Sequence, residues 1–127
     1  MILNLSNHPT NQWDVKQKEL ANMLYGTIVD IPFPDISPTD DTKALVKLAK
    51  KYVGICMEKL NSSSEPHNAV HLMGEMTFSF ALVAALQREG ITCIASTTRR
   101  NVSDFGNGQK NVRFDFVSFR EYPRITI

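Results

Sequence analysis

Four short apolar runs in this chain are each followed directly by a cluster of polar residues. The polar clusters occupy residues 6–9, 32–35, 73–77 and 96–100. A short apolar run bounded by turn residues is typical of a buried β-strand. In an open parallel sheet the carboxyl ends of all strands lie along one edge, where such folds bind ligands. We therefore expect the four clusters to form turns that meet in one crevice, and we place the candidate site there.

Segments with helical spacing alternate with these strands. Strands are predicted at residues 1–5, 27–31, 69–73, 91–95 and 112–119. Helices are predicted between the first four strands, with Gly26 and Gly90 as helix-ending glycines, and the last two strands form a long hairpin. The order βαβαβαββ predicts an α/β, Rossmann-like fold with a mostly parallel sheet, helices on both faces and a C-terminal antiparallel hairpin.

Length and composition are typical of one globular domain. The chain has 127 residues, of which 43% are hydrophobic and 21% charged, so we predict a single Rossmann-like domain over residues 1–127. A formal net charge of +1 argues against a duplex nucleic acid partner. The sequence contains neither a signal-peptide pattern nor an apolar run of membrane-spanning length, so we expect a cytoplasmic protein with no membrane partner. Cys56 and Cys93 are predicted to be buried free thiols.

Residues 74–77 lie where a helix is predicted to follow the third strand. The first amides of a helix have no partner within the helix and can bind a phosphate, so Gly74, Met76 and Thr77 are candidate ligand contacts. A helix cap without any ligand is an equally good interpretation. Glu75 would repel a phosphate at those amides. We expect it to turn aside, to pair with an arginine, or to act as an acid or base.

The polar cluster after the fourth strand is the stronger phosphate signal. Arg99 and Arg100 carry guanidinium groups, whose planar fork of donors matches phosphate oxygens, and the hydroxyls of Thr97 and Thr98 precede them. We predict that all four residues contact an anionic ligand. The alternative is a solvated start of the hairpin, with one arginine paired to a nearby carboxylate.

The turn after the first strand contains Ser6, Asn7 and His8, and that strand is commonly central in such folds. His8 could act as a general acid or base near neutral pH, or donate a hydrogen bond to the ligand. The alternative is an imidazole that caps the first helix. His71, inside the third strand, is predicted to be a hydrogen-bonded core histidine, and His67 is given no role.

Other kinds of site are not indicated. No set of His, Cys and carboxylate residues has metal-ligand spacing, and no nucleophile elbow occurs, so we predict no metal, no cofactor and no hydrolase triad. The aromatic residues of the last strand could stack on bases, but we interpret them as packing residues. They are Phe114, Phe116, Phe119 and Tyr122.

The third predicted helix is apolar on nearly all sides. Its apolar residues exceed what one face of a sheet can cover, which predicts a two-fold dimer. The residues concerned are Phe78, Ala81, Leu82 and Ala85.

The chain resembles the CRISPR-associated Rossmann-fold domains that sense or degrade cyclic oligoadenylates. The resemblance rests on Asn7 and His8, on the helix start at residues 74–77 and on the Ser/Thr/Arg segment after the fourth strand. The resemblance extends from Met1 to about Tyr122. It implies a homodimer with the ligand across its two-fold axis. Those domains often have a glycine-threonine-lysine helix start, whereas this chain has Glu75 and no lysine there, which shifts the expected phosphate contact to the arginines.

The small stand-alone members of that family include ring nucleases, so the resemblance implies a cytoplasmic homodimer that binds a cyclic oligoadenylate of type III CRISPR defence. Cleavage would need no metal, because a 2′-hydroxyl can attack the adjacent phosphorus. His8 would be the acid or base, with Glu75 as the other candidate, and Arg99 or Arg100 would stabilise the developing charge. Two alternatives remain: a protein that sequesters the ligand without cleaving it, and a Rossmann-like interaction module that binds no nucleotide.

Overall fold

A computed structural model describes residues 1–125 and contains one five-stranded sheet. The strands are β1 (Ile2–Ser6), β2 (Ile28–Asp30), β3 (Ala69–Met73), β4 (Cys93–Asp104) and β5 (Lys110–Glu121). Their order across the sheet is β2-β1-β3-β4-β5. The first four strands are parallel, and β5 is antiparallel to β4. The chain is therefore an α/β protein with a mixed sheet, and β3 occupies the centre where β1 was expected.

Three α-helices connect the parallel strands. They are α1 (Val15–Tyr25), α2 (Thr42–Asn61) and α3 (Met76–Arg88). Asp14 and Asp41 begin α1 and α2, because each carboxylate accepts a hydrogen bond from the amide three residues ahead, at 2.8 and 2.9 Å. Gly26 ends α1 with φ at 84°, a conformation that favours glycine. Both caps and the glycine stop follow from local sequence.

Side chains alternate across the sheet and form two apolar clusters. The helices α2 and α3 cover one face, and α1 covers the other with Trp13. On the first face the strands contribute Leu3, Leu5, Val70, Leu72 and Cys93. On the second face they contribute Ile2, Ile28, Ala69, Ile94 and Phe119. The prediction of helices on both faces agrees with this packing.

The β4–β5 hairpin departs most from the predicted elements. Both strands have 12 residues, and only residues 105–109 connect them. The predicted turn at residues 96–100 is wrong, because these residues pair with β5 as part of β4. Thr97 and Thr98 are β-branched and suit a strand, and the Thr97 hydroxyl lies 2.9 Å from that of Ser118. A register shift between Thr97 and Thr98 interrupts the ladder.

The exposed apolar residues of α3 are not the ones that the sequence predicted. Phe78 and Leu82 are fully buried within the chain, where α2 packs beside α3. The exposed apolar residues of α3 are instead Met76 and Phe80, at 82% and 80% exposure. Among the described residues, no helix combines the length and the hydropathy of a membrane span. Cys56 and Cys93 are buried free thiols, as predicted, and burial raises their pKa values to about 11 and 12.

Candidate functional site at the carboxyl edge of the sheet

Three of the four predicted polar turns lie at the carboxyl edge of the sheet. Residues 7–9 follow β1, residues 31–35 follow β2, and Gly74 and Glu75 follow β3. The fourth cluster continues inside β4. His71 of β3 pairs with Ile94, so Thr97 and the residues after it extend beyond the end of β3. The carboxyl edge therefore carries three turns and one projecting ribbon, which we define as residues 97–118 of the β4–β5 hairpin.

The turn after β1 is held through the backbone carbonyl of His8. That oxygen accepts hydrogen bonds from Asn4 Nδ2 at 2.9 Å and from Trp13 Nε1 at 3.0 Å, and the Ser6 hydroxyl oxygen lies 3.1 Å from it. The His8 side chain is exposed and has no hydrogen-bond partner among the described residues. The backbone is thus fixed while the imidazole remains available to a ligand. Capping of α1 by this imidazole, the alternative interpretation, does not occur, since Asp14 is the cap.

An open cavity of about 300 Å³, here called the β1–β2 pocket, lies beside this turn. Such a volume is at the lower end of the range for small-molecule sites. Polar and apolar groups converge on it from both strand ends. It is lined by Asn4, Ser6, Asn7, Pro9, Asp30, Ile31, Pro32 and Phe33.

Asp30, at the end of β2, supplies the carboxylate of the pocket. Its Oδ1 accepts hydrogen bonds from the Thr10 hydroxyl at 2.5 Å and from Asn4 Nδ2 at 2.9 Å. The Thr10 amide donates to the same oxygen at 3.2 Å and approaches Oδ2 at 3.4 Å. One carboxylate oxygen is thus anchored by three donors, and the other has a single long contact.

A buried hydrogen-bonded chain runs across the sheet from the pocket. Asn4 Oδ1 lies 2.9 Å from His71 Nδ1, and His71 Nε2 lies 2.7 Å from Ser96 Oγ. Gln17 of α1 donates to Ser96 Oγ at 3.0 Å. Because Asn4 Oδ1 can only accept, the proton of His71 is on Nδ1, and Ser96 donates to Nε2. Burial, and to a lesser extent His8, lower the pKa of His71 to about 4, so this histidine is neutral at pH 7.

The start of α3 is occupied by its own side chain. The Glu75 carboxylate accepts from the amides of Phe78 at 2.7 Å and Thr77 at 3.1 Å, and from the Thr77 hydroxyl at 2.6 Å. These hydrogen bonds lower the pKa of Glu75, the Thr77 hydroxyl contributing most. Gly74 has a packing role, since a Cβ there would lie 2.2 Å from the ring of Phe33. The cap interpretation of this segment agrees with these contacts better than the phosphate interpretation does.

The two arginines of β4 lie on opposite faces of the ribbon. Ser96 faces His71 and α1, and alternation puts Thr98 and Arg100 on that same face and Thr97 and Arg99 on the other. Within residues 1–125, neither arginine makes an ion pair or a side-chain hydrogen bond. Arg100 alone therefore shares a face with the polar residues of β1 and β2. The expectation that both arginines grip the same phosphate group does not fit this arrangement.

The remaining predicted site residues divide between structural and exposed positions. The Ser6 hydroxyl is buried and donates to Asn4 Oδ1 at 2.7 Å, and Asn7 is exposed at the rim of the pocket. Met76 is exposed on α3. Three of the four aromatic residues of the last strand pack as predicted, but Phe114 is 63% exposed. Across residues 1–125, no three His, Cys, Asp or Glu side chains are arranged to hold a metal ion.

Asn4 and Asp30 are site residues that the sequence analysis missed. Asn4 is the one polar residue within the apolar run of β1, and His71 interrupts the apolar run of β3 in the same way. Asn4 and His71 are cross-strand partners in the register of β1 and β3. A polar residue inside a buried strand needs a hydrogen-bond partner, so these two interruptions were the available signal.

A family model described as "Uncharacterized protein MJ1673 family" matches residues 1–120 of this chain. Comparison with curated proteins and with solved structures gives no match. Since the matched segment covers nearly the whole chain, the protein belongs to the MJ1673 family.

Proposed function

We propose that this protein binds a cyclic oligoadenylate at the carboxyl edge of a Rossmann-like sheet and cleaves it as a ring nuclease of type III CRISPR defence. The observation that carries the proposal is the β1–β2 pocket of about 300 Å³, which lies where parallel α/β sheets bind ligands and is lined by Asn7 and Pro9, the chain neighbours of the exposed His8. The nature of the ligand rests on the sequence resemblance to cyclic-oligoadenylate-binding domains. The pocket supports a small-molecule site at that position.

Cleavage would use the nucleophile that RNA carries. The 2′-oxygen forms a bond to the adjacent phosphorus, and the bond from phosphorus to the 5′-oxygen breaks. The products are a 2′,3′-cyclic phosphate and a 5′-hydroxyl, with the 2′ proton transferred finally to the 5′-oxygen. His8 is the exposed group that can take or give this proton near neutral pH. Arg100 lies on the pocket face of β4 and makes no ion pair within residues 1–125, so it could stabilise the charge that develops on the phosphate.

A binding protein without turnover is the second candidate, and one observation favours it. Efficient in-line cleavage benefits from a base and an acid, but Glu75 is engaged as the cap of α3 and His71 is buried with both ring nitrogens hydrogen-bonded. His8 would then have to act alone. A protein that sequesters the ligand needs only the crevice.

A two-fold dimer belongs to the same proposal. Met76 and Phe80 lie one turn apart on α3, and both are largely exposed. Residue Met76 also begins the helix that follows the carboxyl edge. A dimer that buries these two side chains would bring two crevices close together, as a symmetric ring ligand requires. Light scattering of the Phe80→Glu variant tests this part, with dissociation expected.

The function is tested by incubating the protein with cyclic tri-, tetra- and hexa-adenylate, with and without EDTA, and measuring binding and products. Cleavage with EDTA present is expected. His8→Ala should retain binding and slow cleavage by roughly 10² to 10⁴-fold, and His67→Ala is the matched control in an exposed loop. Glu75→Gln should cleave at nearly the unmodified rate, because its carboxylate has a structural partner.

Three results would change the proposal. Loss of cleavage in Glu75→Gln with full activity in His8→Ala would exchange the roles of the two residues. Tight binding without any product would favour the sequestering protein. Failure of every ring to bind, with no rise in melting temperature, would leave the interaction module as the better description.

A further inference from the structure

The polar groups that line the β1–β2 pocket are better suited to a nucleobase than to a phosphate. No lysine or arginine is among the lining residues, and the one charged group is the carboxylate of Asp30. A carboxylate repels a phosphate and accepts hydrogen bonds from neutral N–H donors. The pocket therefore selects a ligand group that donates hydrogen bonds.

Asp30 is held in position before any ligand arrives. Thr10 and Asn4 anchor Oδ1, and Asn4 is itself fixed between the His8 carbonyl, Ser6 and His71. Among residues 1–125, Oδ2 has only the 3.4 Å approach of the Thr10 amide. An acceptor fixed in this way loses little conformational entropy when it binds a donor.

Phe33 provides an aromatic side of the same pocket. Its ring meets Phe78 edge-on at 5.4 Å, and the missing side chain of Gly74 leaves space for it. Pro32 adds a second apolar surface. Aromatic rings stack on any nucleobase. The Phe33 ring would therefore hold a base, and a polar group of the pocket would distinguish one base from another by the hydrogen bonds at the edge of the base.

We propose that the β1–β2 pocket binds one adenine base of the ligand, with Asp30 Oδ2 accepting a hydrogen bond from the exocyclic amino group. This inference rests on the proposed function, since it takes the ligand to be an oligoadenylate. Asp30 is then the residue that selects adenine over hypoxanthine, in which an oxo group replaces the amino group. The phosphates lie outside the pocket, toward the ribbon.

The distance between the pocket and the ribbon agrees with this division. Strands β2 and β4 are separated by β1 and β3, so three strand spacings, or about 14 Å, lie between them. Arg100 lies four residues beyond Ser96 along β4. A ligand that places a base beside Asp30 and a phosphate beside Arg100 needs more than one nucleotide.

The test compares cyclic tetra-adenylate with cyclic tetra-inosinate by calorimetry, and adenosine with inosine. We expect the unmodified protein to prefer the adenine ligand by about 10-fold or more, the discrimination typical of a specific base contact. Asp30→Asn should abolish this preference, because the amide can donate to the oxo group of hypoxanthine. Asp35→Asn removes a nearby exposed carboxylate that does not line the pocket, and should keep the preference.

The outcomes separate the pocket from the proposed function. An unchanged preference in Asp30→Asn, in protein with an unchanged melting temperature, overturns the role of Asp30 while ring binding stands. A preference for adenosine that Asp30→Asn abolishes, without binding of any ring, supports the pocket and removes the oligoadenylate proposal. Absence of binding by all four ligands overturns both.

Discussion

The two ends of the carboxyl edge are built differently. At the β1–β2 end, buried polar side chains are bonded to one another and hold the pocket in one arrangement. At the β4–β5 end, the ribbon extends past the sheet with exposed Arg99, Arg100 and Phe114, and its one ion pair within residues 1–125 joins Arg113 to the nearby Asp115 at 2.8 Å. The first end is suited to recognise the shape of a ligand, and the second offers charged and apolar side chains that are exposed to solvent.

This difference indicates that stability depends mainly on the β1–β2 end, whereas both ends contribute to ligand affinity. Removing a partner from a buried polar network leaves other groups unsatisfied, which costs far more free energy than losing an exposed pair. Substitutions at the pocket should therefore lower stability along with binding. Substitutions in the ribbon should change binding alone.

The largest effect is expected for Asn4→Ala. Asn4 is 1% exposed, and its loss leaves His71 Nδ1 without an acceptor and Asp30 without one of its donors. We expect the free energy of unfolding to fall by about 3 kcal/mol. Asn101→Ala is the matched control in the ribbon, where the Asn101 amide donates to Asp115, and it should cost less than about 1 kcal/mol. Urea unfolding measures both, and equal losses would contradict the division between the two ends.

The sequence predicted the parts of this molecule that depend on local chemistry. The strand order along the chain, the stop of α1 at Gly26 and the buried cysteines follow from propensity, turn residues and apolar spacing. The extension of β4 was missed because polar residues 96–100 suit an exposed ribbon as well as a turn, and only pairing with β5 decides between them. The pairing of two strands cannot be deduced from the pattern of polar and apolar residues within one of them.

The sequence predicted which polar segments follow β1, β2 and β3, but not how their side chains are hydrogen-bonded. The Glu75 carboxylate accepts from the amides of Thr77 and Phe78 and from the Thr77 hydroxyl, and such an arrangement depends on side-chain geometry that residue types alone do not specify. Asp30 lies near the end of the strand predicted at residues 27–31 and belongs to no sequence motif, so it was not predicted as a site residue. Its role depends on Asn4, which is far away along the chain and close only after β1 and β2 pair.

A smaller effect is expected from pH, and it is specific to the pocket end. The pKa of His71 is lowered to about 4 from 6.5, so the unfolded chain binds a proton at a higher pH than the folded chain does. The contribution of the neutral His71 ring to the free energy of unfolding is then fully present above about pH 6.5 and is lost as the pH falls toward 4. Between pH 7 and pH 5 the loss should be about 2 kcal/mol. This pH window lies above the one in which Glu75 acts. The lowered pKa of Glu75 contributes stability that is lost only below about pH 4.5, where its carboxylate becomes protonated.

Urea unfolding at the two pH values measures this loss. His71→Gln should remove most of the difference, and His67→Gln in the exposed loop should keep it. If His71→Gln does not fold, an NMR titration of the His71 imidazole in the unmodified protein gives the same answer. A titration near pH 6.5 would mean that the ring is accessible to water and that the buried chain from Asn4 to Ser96 is open in solution.

The smallest effect on stability is expected in the ribbon, from Arg100→Ala. The side chain is exposed and unpaired, so the free energy of unfolding should change by less than about 0.5 kcal/mol. Ligand binding should weaken, since loss of one charge-assisted contact to a phosphate costs on the order of 1.5 to 3 kcal/mol, and the contact should weaken further as salt is added. Arg99→Ala is the matched control on the opposite face of β4. If Arg99→Ala weakens binding and Arg100→Ala does not, the phosphates lie on the α2–α3 side of the sheet, and the base and phosphate contacts cannot both belong to the α1 face of one chain. The ligand would then have to pass around the carboxyl edge to Arg99 of the same chain, or a partner subunit would have to supply the cation.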